Sequence, residues 1–168
     1  MSSPYRIMTV CTGNICRSPM AEVVLKARLA DAGLGDSVEV WSTGVSSEEH
    51  GNPIDRRAAA VLHDAGYIVP RRAARRVTAA DLGSADLVLA MTAAHARRLR
   101  DLTDRPVVRM YRAFDPDAPS TAGLADEHRL DIDDPWYGGM EDFRVTLAQV
   151  EAGADGVIDE VRRVLAAR

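Results

Sequence analysis

Cys11 and Arg17 are the two residues whose types and spacing first suggest chemistry, within Cys-Thr-Gly-Asn-Ile-Cys-Arg-Ser-Pro at positions 11–19. The apolar run Tyr5-Arg6-Ile7-Met8-Thr9-Val10 before them reads as a buried strand, and the pattern after them reads as a helix with Ser18 at its N-cap and Pro19 at its first position. Backbone N–H groups of such a strand–loop–helix turn converge above a helix N-terminus and form a cradle for an anion. Arg17 adds a planar, permanently charged fork that fits two oxygens of a tetrahedral oxyanion. Cys11 stands in the same positive field, which favours the ionised, nucleophilic form of a thiol. A thiolate under a bound phosphate is aimed at phosphorus.

Spacing alone does not make this case, because a structural cysteine and a surface arginine account for Cys-x5-Arg equally well. The context does. Gly13 and Asn14 accept the left-handed backbone that a tightly wound loop needs. Thr12, Ile15 and Cys16 complete the loop, and Ser18 is placed to donate to the thiolate as well as cap the helix. Expelling an alcohol or phenol from phosphorus also needs a proton donor distant in sequence. The turn-rich stretch 113–139 offers Asp115, Asp117, Asp126, Asp131, Asp133 and Asp134, among which the chemistry alone does not choose. No metal or cofactor is expected: His50, His63, His95 and His128 are scattered and read as solvated.

The elements that would position these groups alternate along the chain. A helical stripe from Met20 to Ala32 stops at Gly33 and Gly35, and Val38–Thr43 alternates as a strand. Ala58, Val61, Leu62 and Ala65 form a second stripe ended by Gly66. A short turn at 79–82 precedes the apolar run 85–91, a helix spans 92–102, and Pro106–Met110 is a fourth strand. One helical face carries Phe143, Leu147, Val150, Ala154, Val157, Ile158, Val161 and Leu165. Gly153 and Gly156 within that helix each cost about 1 kcal/mol relative to Ala, so packing must hold it. Strands alternating with helices predict an α/β fold, a parallel sheet covered on both faces with its ligand beyond the carboxyl ends of the strands.

With 168 residues, 46% hydrophobic and 27% charged, the chain reads as one domain over 1–168. Its net charge of −4 argues against a nucleic-acid partner, and no apolar run is long enough for a membrane span. The N-terminal residues lack a signal-peptide pattern, and the two cysteines share one loop rather than forming a disulfide framework. A cytoplasmic location is expected.

The segment Cys11–Glu22 resembles the signature of the low-molecular-weight protein tyrosine phosphatases. The resemblance continues through Ser42-Thr43-Gly44, Gly51–Ala58, Ala85–Met91 and Asp133-Asp134-Pro135-Trp136-Tyr137-Gly138. It implies a small doubly wound four-stranded parallel sheet with helices on both faces. It also implies Cys11 as nucleophile, Arg17 as oxyanion ligand, and Asp134 as general acid in an Asp-Pro-aromatic-aromatic motif. Trp136 and Tyr137 would wall the pocket, and Asn14 with Ser42 would brace the loop. Ile15 stands where phosphoarginine-specific relatives carry threonine, which favours an apolar aromatic substrate. The implied partners are a tyrosine-phosphorylated protein or a small aryl phosphate, with phosphate and other tetrahedral oxyanions as inhibitors. Cys16 is either a redox partner for Cys11 or a small buried hydrophobe.

The chain departs from the family pattern in four places. Glu48 and Glu49 occupy a loop that usually carries an aromatic, Arg71 replaces a histidine, Thr92 replaces an aspartate, and the stretch from Phe114 to Asp134 is long. The arginine-rich run 71–76 reads as a solvated face. Two other functions compete. A thioredoxin-coupled arsenate reductase needs cysteines beyond the two present, and an inactive phosphotyrosine-binding module has no use for a general acid.

Overall fold

Strand β1 (Tyr5–Cys11) lies at the middle of a parallel sheet, paired on one side with β2 (Val38–Gly44) and on the other with β3 (Leu87–Ala90). Strand β4 (Val108–Met110) extends the sheet beyond β3, giving the order β2-β1-β3-β4. The computed structural model describes residues 2–168. Successive strand residues face opposite sides, so each strand feeds two cores. Ile7, Cys11, Leu87 and Leu89 pack with α1 (Arg17–Asp31), α2 (Arg56–Asp64) and α5 (Met140–Ala166). Met8, Val10, Val88 and Ala90 pack with α3 (Ala79–Ser84) and α4 (Ala93–Asp101). The predicted α/β architecture, four parallel strands with helices on both faces, is the one observed.

Strands are added in opposite directions on either side of β1, whose neighbours belong to different halves of the chain. This switch point is where ligands sit in doubly wound sheets, and Cys11 ends β1 there, in register with Gly44.

The two interior glycines of α5 have a packing purpose. A Cβ at Gly153 would lie 2.8 Å from the Tyr111 ring, and one at Gly156 would meet the Phe114 carbonyl. Both neighbours lie on the 3-10 turn Tyr111–Phe114, and Tyr111 donates its hydroxyl to Val150 O at 2.7 Å. Close approach offsets the intrinsic helix cost that these glycines carry.

The start of α1 differs from the sequence reading. Helix α1 begins at Arg17 after an N-cap at Cys16 that makes no side-chain bond, so Ser18 is not the cap. Its hydroxyl lies inside the loop instead, where buried partners compete for it successfully.

Candidate active site

Residues 12–16 wind from the end of β1 into α1, and several carbonyls along the turn are held by donors further along the chain. Cys11 O accepts from Val45 N, Thr12 O from Ser46 N, Ile15 O from Asp55 N, Cys16 O from Met20 N, and Asn14 O from Arg72 Nη1. No N–H of residues 12–16 donates to another group among the described residues. Asn14 takes the left-handed conformation, φ 62°, a few kcal/mol at most that surrounding contacts must hold. They do so from every side. Its amide donates to Ser18 Oγ at 2.9 Å and to Ser42 Oγ at 3.0 Å, and its Oδ1 accepts from Arg75 N and from the Arg72 guanidinium.

Ser18 Oγ lies 3.1 Å from Cys11 Sγ and equally far from Thr43 O. A hydroxyl has one proton, so when the sulfur is ionised Ser18 can donate to it while Asn14 donates to Ser18 in turn. Cys16 is buried, and burial first, then Asp55, Cys11 and Asp134, push its thiol far up. Cys16 therefore stays protonated, unlike a nucleophile.

Arg17 is only 4% exposed. Its Nη1 donates to Ile132 O at 2.9 Å, its Nη2 to Thr12 Oγ1 at 3.4 Å, and Nη2 also lies 3.3 Å from Asp134 Oδ2. Its Nε has no partner among the described residues. Ile132 also donates its N–H to Met91 O at the end of β3, at 2.9 Å, so the long loop carrying Asp134 is pinned at both sheet and guanidinium. Asp134 caps the 3-10 turn Pro135–Tyr137 through Trp136 N at 3.1 Å. Arg57, fixed by Asp55, donates to the carbonyls of Trp136 and Gly138. The Trp136 and Tyr137 rings meet edge to face at 5.1 Å, with Tyr137 83% exposed.

These groups enclose a cavity of about 200 Å³ lined by Cys11, Thr12, Gly13, Ile15, Cys16, Arg17, Glu48, Glu49, Asp134, Trp136 and Tyr137. Asn14, Ser18 and Ser42 stand behind the loop, as its support. Among the described residues no three of His, Cys, Asp or Glu gather as metal ligands.

Gly44 has to be glycine. A Cβ there would run into Thr12 O and lie 3.1 Å from Asn14 N and Gly13 C.

A buried cysteine thus lies beside unspent loop amides in a cavity where an arginine and an aspartate meet. The family model for low molecular weight phosphotyrosine protein phosphatase matches residues 6–167. The chain belongs to the low molecular weight phosphotyrosine protein phosphatase family. It is 44% identical to a low molecular weight protein-tyrosine-phosphatase of Streptomyces coelicolor, over 98% of each chain. It is 42% identical to low molecular weight protein-tyrosine phosphatase A of Mycobacterium tuberculosis, over 99% of this chain and 97% of that one. Among solved structures, a protein tyrosine phosphatase from Entamoeba histolytica with Hepes in its active site superposes with a TM-score of 0.85 at 25% identity, covering 95% of this chain and 97% of that one.

Three residues of this phosphatase's site escaped the sequence reading. Arg72 and Arg75 are not a solvated face: the Arg72 guanidinium turns to Asn14, the Arg75 backbone N–H donates to Asn14 Oδ1, and the Arg75 side chain grips Asp81 with two bonds of 2.7 Å. Arg71, at the position of the missing histidine, is exposed. His95 is buried rather than solvated, with Nε2 2.8 Å from Thr12 Oγ1. Its place beside Ala96 and four residues before Leu99, on the inward stripe of α4, is the signal that predicts this burial.

Proposed function

We propose that this phosphatase hydrolyses phosphotyrosine through a cysteinyl-phosphate on Cys11. The observation that carries the reading is the state of Arg17: buried, charged, with Nε unspent, in the wall of the cavity that Cys11 floors. A buried cation with an unpaired donor calls for an anionic acceptor. In the first step Cys11 sulfur attacks phosphorus, the S–P bond forms and the P–O bond to the phenol breaks. Asp134 delivers its proton to the departing oxygen. Arg17 and the N–H groups of residues 12–17 hold the equatorial oxygens, most tightly where charge spreads in the transition state. In the second step Asp134, now a carboxylate, takes a proton from water, the water oxygen bonds to phosphorus, the S–P bond breaks and inorganic phosphate leaves.

Trp136 and Tyr137 supply flat apolar surface for the substrate ring, and Ile15 closes the pocket with a side chain that offers no hydrogen bond. These features support an aromatic leaving group over serine or arginine phosphates. Phosphate and other tetrahedral oxyanions should occupy the same cradle and inhibit. The test is a parallel assay of phosphotyrosine, phosphoserine, phosphoarginine and arsenate. Phosphotyrosine turnover well above the other three supports the reading; arsenate reduction, or phosphoarginine as the best substrate, overturns it.

A further inference from the structure

The cavity's charges do not match its cargo. Its charged lining consists of Arg17, Glu48, Glu49 and Asp134. Arg17 already lies against Asp134. Glu48 and Glu49 make no ion pair among the described residues: the Glu49 carboxylate accepts only from Asn52 Nδ2 at 2.7 Å, and the Glu48 carboxylate makes no hydrogen bond. Arg57, beside the Trp136–Gly138 turn, is spent on Asp55 and on backbone carbonyls. A site whose buried Arg17 keeps Nε for an oxyanion thus has a mouth with two uncompensated carboxylates, which repel that oxyanion on its way in.

Position is fixed as well as charge. Glu49 lies over the loop, its Cγ 3.0 Å from where a Cβ on Gly13 would stand. The hydrogen bond to Asn52 and the Ser46 hydroxyl accepting from Glu48 N hold this segment beside the cradle. Across the cavity, Trp136 and Tyr137 leave the ring side open to a polypeptide.

We infer that Glu48 and Glu49 select phosphotyrosines flanked by lysine or arginine. The inference rests on the phosphotyrosine reading above. A basic residue next to the phosphotyrosine places a cation against the glutamates while the dianion descends to Arg17 and the amides. An acidic neighbour instead adds a third carboxylate to the mouth. Such rim pairs act through the field and the rate of encounter more than through tight contact, so they weaken as salt rises.

The experiment compares two phosphopeptides identical except for Lys/Arg or Asp/Glu on either side of the phosphotyrosine. The basic peptide is expected to have the higher kcat/KM by about tenfold at low salt, from two partly exposed charge pairs. That ratio should shrink toward one as salt is raised, and should collapse in the Glu48→Gln/Glu49→Gln double variant. Equal rates, a preference for the acidic peptide, or a preference that survives the double variant overturns the inference. Binding of both peptides to the Cys11→Ser protein reads the rim without turnover. If the enzyme hydrolyses neither peptide, the catalytic reading fails, and equal affinity of the two peptides in this binding assay overturns the rim inference separately.

Discussion

Arg17 Nη2 and Asp134 Oδ2 lie 3.3 Å apart, so the residue proposed to hold the phosphate and the one proposed to protonate the leaving group are each other's partner. An incoming oxyanion competes with this carboxylate for the guanidinium. In the proposed mechanism Asp134 trades Arg17 for the leaving oxygen. Asp134→Ala should therefore slow phosphotyrosine hydrolysis by about 10²–10⁴-fold and tighten inhibition by phosphate. A series of aryl phosphates checks the role: the loss should fade as the phenol becomes a better leaving group. A uniform loss across the series would move the acid to a neighbouring carboxyl such as Asp133.

Cys11→Ser should abolish turnover while phosphate still binds, because the cradle is built from backbone N–H groups and Arg17 rather than from sulfur. Calorimetry with phosphate or vanadate measures the second half of that statement. Residual activity near wild type would remove the covalent intermediate from the mechanism.

Arg72→Met keeps the apolar stem and deletes the donors to Asn14 O and Oδ1. Leaving Asn14 O unpaired, and Oδ1 with the Arg75 N–H alone, should cost about 1–3 kcal/mol, read as a lower denaturant midpoint at constant slope. Activity should fall with it, since the left-handed turn at Asn14 sets the direction of the loop amides. A stable variant with full activity would show that Ser18, Ser42 and Arg75 hold Asn14 without Arg72.

His95 gives the fold an acid limit. Burial first, then Arg17, lowers its imidazole from 6.5 to about 3. Between those values the unfolded chain binds a proton that the folded chain refuses, so stability rises with pH across the window. The contribution is complete above 6.5 and is lost as pH falls toward about 3. His95→Gln retains a polar group near Thr12 and cannot take that proton. Urea unfolding across this range should show a shallower pH slope for the variant, and parallel curves would exclude His95 as the source.

The sequence made the sheet and its loop readable because their signals are local. Tyr5–Val10 is an apolar run, Gly33 and Gly66 mark helix ends with φ of 72° and 90°, and Cys11 to Pro19 is contiguous. Beyond the Asn14–Ser42 pair, which the resemblance implies, the braces were hidden because they are not local. Arg72 meets Asn14 across 58 positions, from a segment without helical or strand periodicity. Ile132, an apolar residue by type, acts through its backbone, donating to Met91 and accepting from Arg17, which no side-chain pattern announces. Of the two tasks the sequence suggests for Ser18, the contact with Cys11 is present and the N-cap is not, because Asn14 and Thr43 also bond its hydroxyl inside the loop, contacts that only the folded chain reveals.

Gly44 contributes no side chain to the cavity, yet a library of variants at this position scored for activity should look as barren as one at Cys11. The atoms a new side chain would strike belong to the main chain of Thr12, Gly13 and Asn14, and main chain has no alternative rotamer to retreat into. Relief would come only by backing the end of β2 away, and with it the Val45 and Ser46 amides that tether the carbonyls of Cys11 and Thr12. Intolerance at this glycine would record the contour of the loop's rear surface, and reading it as a sign of chemistry would mistake the mould for the tool.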